Sequence, residues 1–357
     1  MFANVAGVHL LGVSSTSQSR RSRGPAVIAR EAVGAALADA GLAPADVDGV
    51  AIAAADPAFA AGAEAALGDE RRGYRCRCGL GPVALNSAWK AVSAGVGEVV
   101  VCVGFDGAAA PLRDDGEQLE AQAAAAREYL QHSGASERHL ARVAAKNRRH
   151  GAANPNAPLS AEVGVDEVLE SELLLWPLRR LMVAEPAWDS AAAVVLGGPG
   201  HGRGRRRGAK VPQVRASVML DGGSAGGAET SRAARLAYLS AELGPEEVDL
   251  AEIEDPTPVE EIAAYEALEF GPEGSGPELV ESGFTALGGV LPVNPSGGAL
   301  CQGVSRGAGG IRQLVELSLQ LRDRAERRQV PGAKVGLGLC GGPANPGGPT
   351  GLTIVTA

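Results

Sequence analysis

The sequence predicts an α/β fold made of two similar halves, on three observations. Residues 29–55 and 233–255 carry the same features in the same order: an Ala-rich helical pattern, a Gly-Leu or Leu-Gly stop, a Pro with nearby acids, a Val-Asp pair and an apolar run. Downstream of each copy a Gly-rich turn feeds an apolar helix and another strand. Cys78-Gly79-Leu80-Gly81 leads to a helix near 83–94 and a strand near 98–103, and the turn at 294–298 precedes a helix near 309–324 and a strand near 334–340. Finally, helical and strand patterns alternate across short loops, which predicts βαβ units and mainly parallel sheets covered on both faces.

Composition supports a large folded core. The chain has 357 residues, 45% of them hydrophobic and 21% charged, near the globular average and away from disorder. Aromatics are only 3% and glycines number 50, so the core is built from Ala, Val and Leu, with many close backbone approaches. A net charge of −9 argues against a nucleic-acid binder, which needs a strongly basic face. No apolar run approaches the ~18–20 residues of a membrane helix, and the first residues lack a secretory apolar region, so a soluble cytoplasmic protein is expected. The five cysteines, Cys76, Cys78, Cys102, Cys301 and Cys340, do not form a disulfide framework in a chain of this size. Cys76 and Cys78 lack a second ligand pair at metal spacing, and no metal site is expected.

Along the chain, 1–200 reads as an N-terminal half that includes a loop or cap region at about 111–186, with helices near 136–150 and 165–175. Residues 201–210 read as an exposed linker and 211–357 as the C-terminal half. Arg203, Arg205, Arg206 and Arg207 lie in the linker, where a solvated charge run is the preferred reading over a phosphate contact.

Cys78 is the sharpest candidate for chemistry. It precedes a helix that is apolar around most of its circumference and therefore buried. A thiol at a helix N-terminus meets the positive end of the macrodipole, which favours thiolate, and inward-pointing Arg75 and Arg77 would act in the same direction. A thiolate there could carry an acyl group as a thioester.

The segment CGLGPVALNSAWKAVSAGVGEVVVCVG at 78–104 resembles the nucleophile segment of the thiolase superfamily. Asn147, His150 and Asn154-Pro155 resemble the loop region of its sterol-carrier-type, or lipid-transfer, members. PLRRLMVAEPAWDSAAAVVL at 177–196 is similar to their Pro-Leu run and Asp-Gly-Ala-Ala-Ala strand, with Ser190 in place of Gly. LPVNPSGGALCQGVSRGAGGIRQ at 291–313 is similar to their Asn-Pro-Ser-Gly-Gly stretch and Gly-His-Pro box.

The resemblance implies a thiolase fold, five-layered αβαβα from two duplicated halves and usually dimeric, acting on coenzyme A thioesters with no tightly bound cofactor. It assigns Cys78 as nucleophile and Cys340 as the second family cysteine. The Gly-His-Pro histidine falls at Val304 and the Glu-x-His-Asp histidine at Glu254, so neither histidine is present at its motif position; an inserted loop could deliver His132, His139 or His150 instead. Losing oxyanion donors costs ~10²–10³ in rate apiece, which argues against ordinary thiolase activity. A buried Glu254 would have a raised pKa and could replace the acid/base, with Asp255 as its neighbour. The expected pocket is lined by Asn294, Ser296, Gly297, Gly298, Val304, Gly341 and Gly342. The first expectation is acyl transfer from acyl-CoA or an acyl-carrier thioester through Cys78. The alternatives are a non-catalytic partner subunit of another thiolase or ketosynthase, a Cys-independent retro-aldol lyase, and a lipid-binding module. The resemblance also implies a homodimer, or a heteromer with a thiolase-like or OB-fold accessory protein.

Overall fold

The computed structural model describes residues 7–18, 23–68, 73–107, 115–201, 210–221, 227–342 and 348–357; the linker arginines lie outside them. The first run of elements is β1 (Val8–Ser15), α1 (Pro25–Ala40), β2 (Gly49–Ala53), α2 (Pro57–Leu67), β3 (Arg75–Cys78), α3 (Gly81–Ser93) and β4 (Val99–Asp106). Then come α4 (Asp115–Ser133), α5 (Glu137–Ala152), α6 (Val165–Glu170), the hairpin β5 (Leu173–Leu175) and β6 (Leu178–Arg179), and β7 (Ser190–Gly197). The second run is β8 (Gln213–Leu220), α7 (Gly227–Ala241), β9 (Leu250–Ile253), α8 (Pro258–Ala267), α9 (Gly276–Glu281), α10 (Gly298–Gln302), α11 (Gly309–Leu321), β10 (Val335–Cys340) and β11 (Thr350–Thr356).

Nine strands form one sheet in the order β3-β2-β4-β7-β1-β8-β11-β10-β9. Its two ends have the same wiring: β2 runs parallel to β4 as β9 does to β10, and β4-β7-β1 repeats the antiparallel succession β10-β11-β8. The two stretches meet only where β1 touches β8, through Val8↔Val214 and His9↔Gln213. The repeated Val-Asp pair explains itself here. Asp48 Oδ2 accepts the backbone N–H groups of Glu98 and Val99 at 3.0 and 2.9 Å, and Asp249 Oδ2 accepts those of Lys334 and Val335 at 2.7 and 2.8 Å. Each aspartate pins the start of the strand beside its own.

Strand periodicity then creates layers, because successive side chains leave opposite faces. Val99, Val101 and Val103 pack with Ile28, Val33 and Phe59 of α1 and α2, while Val100 and Cys102 pack with Ala84 and Ala88 of α3 and Ile311 and Leu314 of α11. On the other stretch Ala251, Ile253, Leu337 and Leu339 face Ala233, Ala237 and Ile262 of α7 and α8. The succession is helices, sheet, the central pair α3 and α11, sheet, helices: the five layers of the thiolase fold. Alanines at the helix contacts let these layers approach closely without aromatic filler.

Two expectations are corrected. Five of the eight strand contacts in the main sheet are antiparallel, so the sheet is mixed rather than mainly parallel. Strands buried on both faces read as the same apolar runs whichever way they point. The helix expected near 165–175 ends at Glu170, and Leu173–Leu175 becomes a strand ahead of Trp176-Pro177, where proline disfavours helix in the preceding residue.

Candidate functional site

The C-terminal ends of β9 and β10 and the start of α11 enclose a cavity of about 40 Å³, enough for a few water-sized groups. Glu252, Glu254, Gly298, Gln302, Ser305, Arg312, Gln313 and Cys340 are among its walls. Glu252 and Glu254 are two residues apart at the end of a strand, so both turn to the same face. A hollow of about 490 Å³ against α5 and α9 is larger, but it carries none of the motif residues.

Burial governs the chemistry of this group. Glu252 is 2% exposed; its Oε1 accepts the Ser296 N–H at 3.0 Å and its Oε2 the Ser296 hydroxyl at 2.6 Å. Desolvation, reinforced by the charge of Glu316, pushes its pKa up to about 8. Glu254 is also pushed up by burial, against a bond of 2.8 Å from the Gly341 N–H to Oε2, with Asp106 adding to the rise. Cys340 donates its thiol to Gln313 Oε1 at 3.1 Å, and burial followed by the Glu254 charge holds it well above the ordinary thiol range. Cys340 and Glu254 are therefore electrostatic neighbours, and the thiol is a neutral donor.

The loop entering α11 is built on Asp106. Its Oδ1 accepts Arg306 N–H at 3.0 Å and Gly307 N–H at 2.9 Å, while Oδ2 accepts Ala308 N–H at 3.0 Å and the Ser305 hydroxyl. A carboxylate thus fills the positive turn that precedes the helix. Ser305 earns its place in the motif by this bond.

Cys78 precedes the loop that touches the one entering α11, where Gly81 N–H donates to Arg306 O at 2.8 Å. It is half-buried at the end of β3, three residues before α3, and its Sγ donates to Leu80 O at 3.3 Å. Its pKa is raised, by burial first and by Cys76 beside it, and Cys102 lies behind both. The expectation of a thiolate favoured by the helix and its arginines is corrected: Arg75 and Arg77 are exposed, and Arg77 pairs with Glu64 at 2.6 Å. On a strand, residues 75 and 77 face away from 76 and 78, so the arginines leave on the other side. Cys78 is not among the residues lining the cavity of Cys340 and Glu254.

Of the other expected pocket residues, Gly298 alone lines that cavity. Asn294 is fully buried, with Nδ2 donating to Glu261 Oε2 at 2.7 Å and Oδ1 accepting Ile253 N–H at 2.7 Å. Ser296 is one layer back, holding Glu252. Gly297 approaches Gly151, and at Gly298 (φ 62°) a Cβ would fall 2.2 Å from Asp255 Oδ1, so the glycine pair is required by close packing. Val304 bridges to Pro186 and carries no hydrogen-bonding side chain. Gly341 spends its N–H on Glu254, and Gly342 follows it on the described side of the break at 343–347.

No loop histidine reaches the cavity. His132 bonds back to Glu128 O at 2.8 Å, and His139 caps α5 at Ser136 and meets Glu281 at 3.1 Å. His150 is buried between Asn294 O and Leu287 N–H, its pKa lowered to about 3 by burial and by Lys146. Asp255 is equally internal. It accepts Asn147 Nδ2 at 2.7 Å and Ala299 N–H at 2.5 Å, within a network in which Lys146 Nζ meets Glu261 Oε1 at 2.5 Å.

Glu252, Gln302, Ser305, Arg312 and Gln313 line the cavity without having been expected there. Glu252 was legible from the Glu-x-Glu spacing on a strand, and Arg312 as the single cation of α11.

Comparison with known proteins agrees with this fold. The thiolase C-terminal domain-like family matches residues 222–345. Bovine sterol carrier protein 2 is 35% identical over 224 residues, which make up 60% of this chain but only 41% of that protein. The acetyl-CoA acetyltransferase of Methanothermobacter thermautotrophicus is 33% identical over 285 residues, 73% of each chain. Among solved structures, the Ltp2-ChsH2(DUF35) aldolase superposes with a TM-score of 0.86 at 25% identity, over 99% of this chain and 98% of that one. With these matches and the layered fold, the chain belongs to the thiolase superfamily.

Proposed function

We propose that this protein is an enzyme of CoA thioesters that breaks or makes the carbon–carbon bond next to the thioester through an enolate. The observation that carries this reading is the cavity on whose walls Glu252, Glu254 and a neutral Cys340 converge and whose lining does not include Cys78. In the cleavage direction ionised Glu254 takes the proton of a β-hydroxyl, the Cα–Cβ bond breaks, and its electron pair moves onto the thioester carbonyl. A carbonyl product leaves, and protonated Glu252 returns a proton to Cα. Glu252, whose pKa burial pushes up to about 8, is suited to holding the proton that it returns. The acetyl-CoA acetyltransferase among the relatives supports the thioester class, and the aldolase among the structural neighbours supports the bond chemistry.

The same neighbour supports a second chain of DUF35 type as partner, in line with the OB-fold accessory protein expected from sequence; a second copy of this chain is the other assembly. Acyl transfer through Cys78 is the second reading, favoured by the half-exposed position of that thiol before α3.

The test is incubation with a panel of β-hydroxyacyl-CoA thioesters, with and without a co-expressed DUF35-type chain, following release of the shortened acyl-CoA. Turnover that survives Cys78→Ala and is lost in Glu254→Gln is the expected result. Turnover abolished by Cys78→Ala, with an acyl adduct on the wild-type protein seen by intact mass, overturns it in favour of acyl transfer.

A further inference from the structure

Arg312 is a buried cation without a matching anion. It sits in the first turn of α11, is 7% exposed, and lines the cavity beside Glu252, Glu254 and Cys340. Its Nη2 donates to Ser190 Oγ at 2.8 Å, whereas its buried Nε has no hydrogen-bond partner among the described residues. A guanidinium stays charged in a protein, and a buried charge left unpaired is costly. Asp106 is its electrostatic counterpart, but the oxygens of that carboxylate already accept three backbone N–H groups and a hydroxyl. No carboxylate among the described residues forms an ion pair with Arg312. The two glutamates of the cavity have raised pKa values and offer less negative charge than their number suggests.

A rigid planar donor with unused capacity, facing a small cavity that also holds an acid and a base, is built to receive a negative oxygen. We propose that Arg312 donates to the thioester oxygen as it becomes an enolate, with Ser190 orienting the guanidinium from behind. The proposal rests on the enolate reading above and assigns the oxyanion role to a side chain outside both histidine positions, Val304 and Glu254. Ser190 then has a purpose where the related strand carries glycine: its hydroxyl fixes one end of the fork and leaves the remainder for substrate.

Exchange of the α-protons of acetyl-CoA in D₂O, read by mass spectrometry, tests this without an acceptor or a complete reaction. It is run in the Cys78→Ala background so that no acyl-enzyme contributes. Arg312→Gln is expected to slow exchange by about 100-fold or more with the acetyl-CoA Kd changed by less than about threefold, and Arg312→Lys to recover at least about tenfold of that loss. Ser190→Ala, which leaves the cation in place, is expected to slow exchange about three- to tenfold, and it carries the test with Arg312→Lys should Arg312→Gln not fold. Exchange at the unmodified rate in Arg312→Gln, or in both Arg312→Lys and Ser190→Ala, overturns the proposal, as does absence of exchange before any change at Arg312. Failure of the β-hydroxyacyl-CoA panel with Arg312-dependent exchange intact would remove the lyase reading and leave this one standing.

Discussion

β3 and β9 are the outermost strands of the sheet, β9 being wired as β2 is, and the two edges are chemically opposite. β3 is a four-residue edge strand, Arg-Cys-Arg-Cys, with exposed arginines and half-buried thiols. β9 is buried along its whole length and carries Glu252, with Glu254 and Asp255 directly after it and the edge beside it reduced to the single bridge Ala251↔Val293. One edge of the sheet therefore carries Cys76 and Cys78, and the other a desolvated acid group with Cys340 beside it. A duplicated scaffold fixes backbone positions, and burial decides what chemistry each position can support.

The comparison breaks most severely at the polar network behind β9. Lys146→Ala leaves Glu261 buried without its cation and is expected to cost about 3–5 kcal/mol in urea unfolding. A loss below 1 kcal/mol would mean that the network is wetter than its burial indicates.

The acid group has its own pH signature. Glu252 has a folded pKa of about 8, above its unfolded value, so its stabilising contribution is complete below the unfolded pKa and drains away as pH rises toward 8. Glu252→Gln should flatten that decline by up to about 1.4 kcal/mol per pH unit, read from unfolding midpoints between pH 5 and 8. An unchanged slope would place the pKa shift elsewhere.

What the halves share is tested next. Asp48→Ala and Asp249→Ala each remove a carboxylate that holds two backbone N–H groups, and each should cost about 1–3 kcal/mol, agreeing with the other to within about 1 kcal/mol. Strongly unequal losses would show that the repeat in wiring is not a repeat in energetics. The smallest effect belongs to the edge: Arg77→Ala, a surface pair with Glu64, should shift stability by less than about 1 kcal/mol. At the same edge, iodoacetamide should label Cys78 faster than buried Cys340, with a rate still rising above pH 9 because the Cys78 pKa is raised.

Much of the fold could be read from the chain. The Ala-rich helix, Pro-acid turn and Val-Asp-strand order at 29–55 reappears at 233–255, and each feature does local work: helix stops, short turns and a side chain bonding a neighbouring backbone. Glu254 and Cys340 were named through the resemblance to the thiolase superfamily, and the structure brings both to the wall of one cavity. Strand direction was not legible, because an apolar run is silent about which way it points. The inward thiols and outward arginines of β3 were implicit in its alternation, but the absence of a cation beside Cys78 followed only from seeing which face met α3.

By itself, then, the sequence determined two similar α/β halves, because these depend on local periodicity and short-range bonding, while the five layers and the roles of Cys78, Cys340 and Glu254 were what its resemblance to the thiolase superfamily implied. Only the tertiary structure decided that Glu252, Glu254, Cys340 and Arg312 share one cavity and that Asn294, Asp255 and His150 are spent on holding it. Those outcomes depend on desolvation and on contacts between segments far apart in the chain, such as Arg312 with Ser190, which no local pattern encodes.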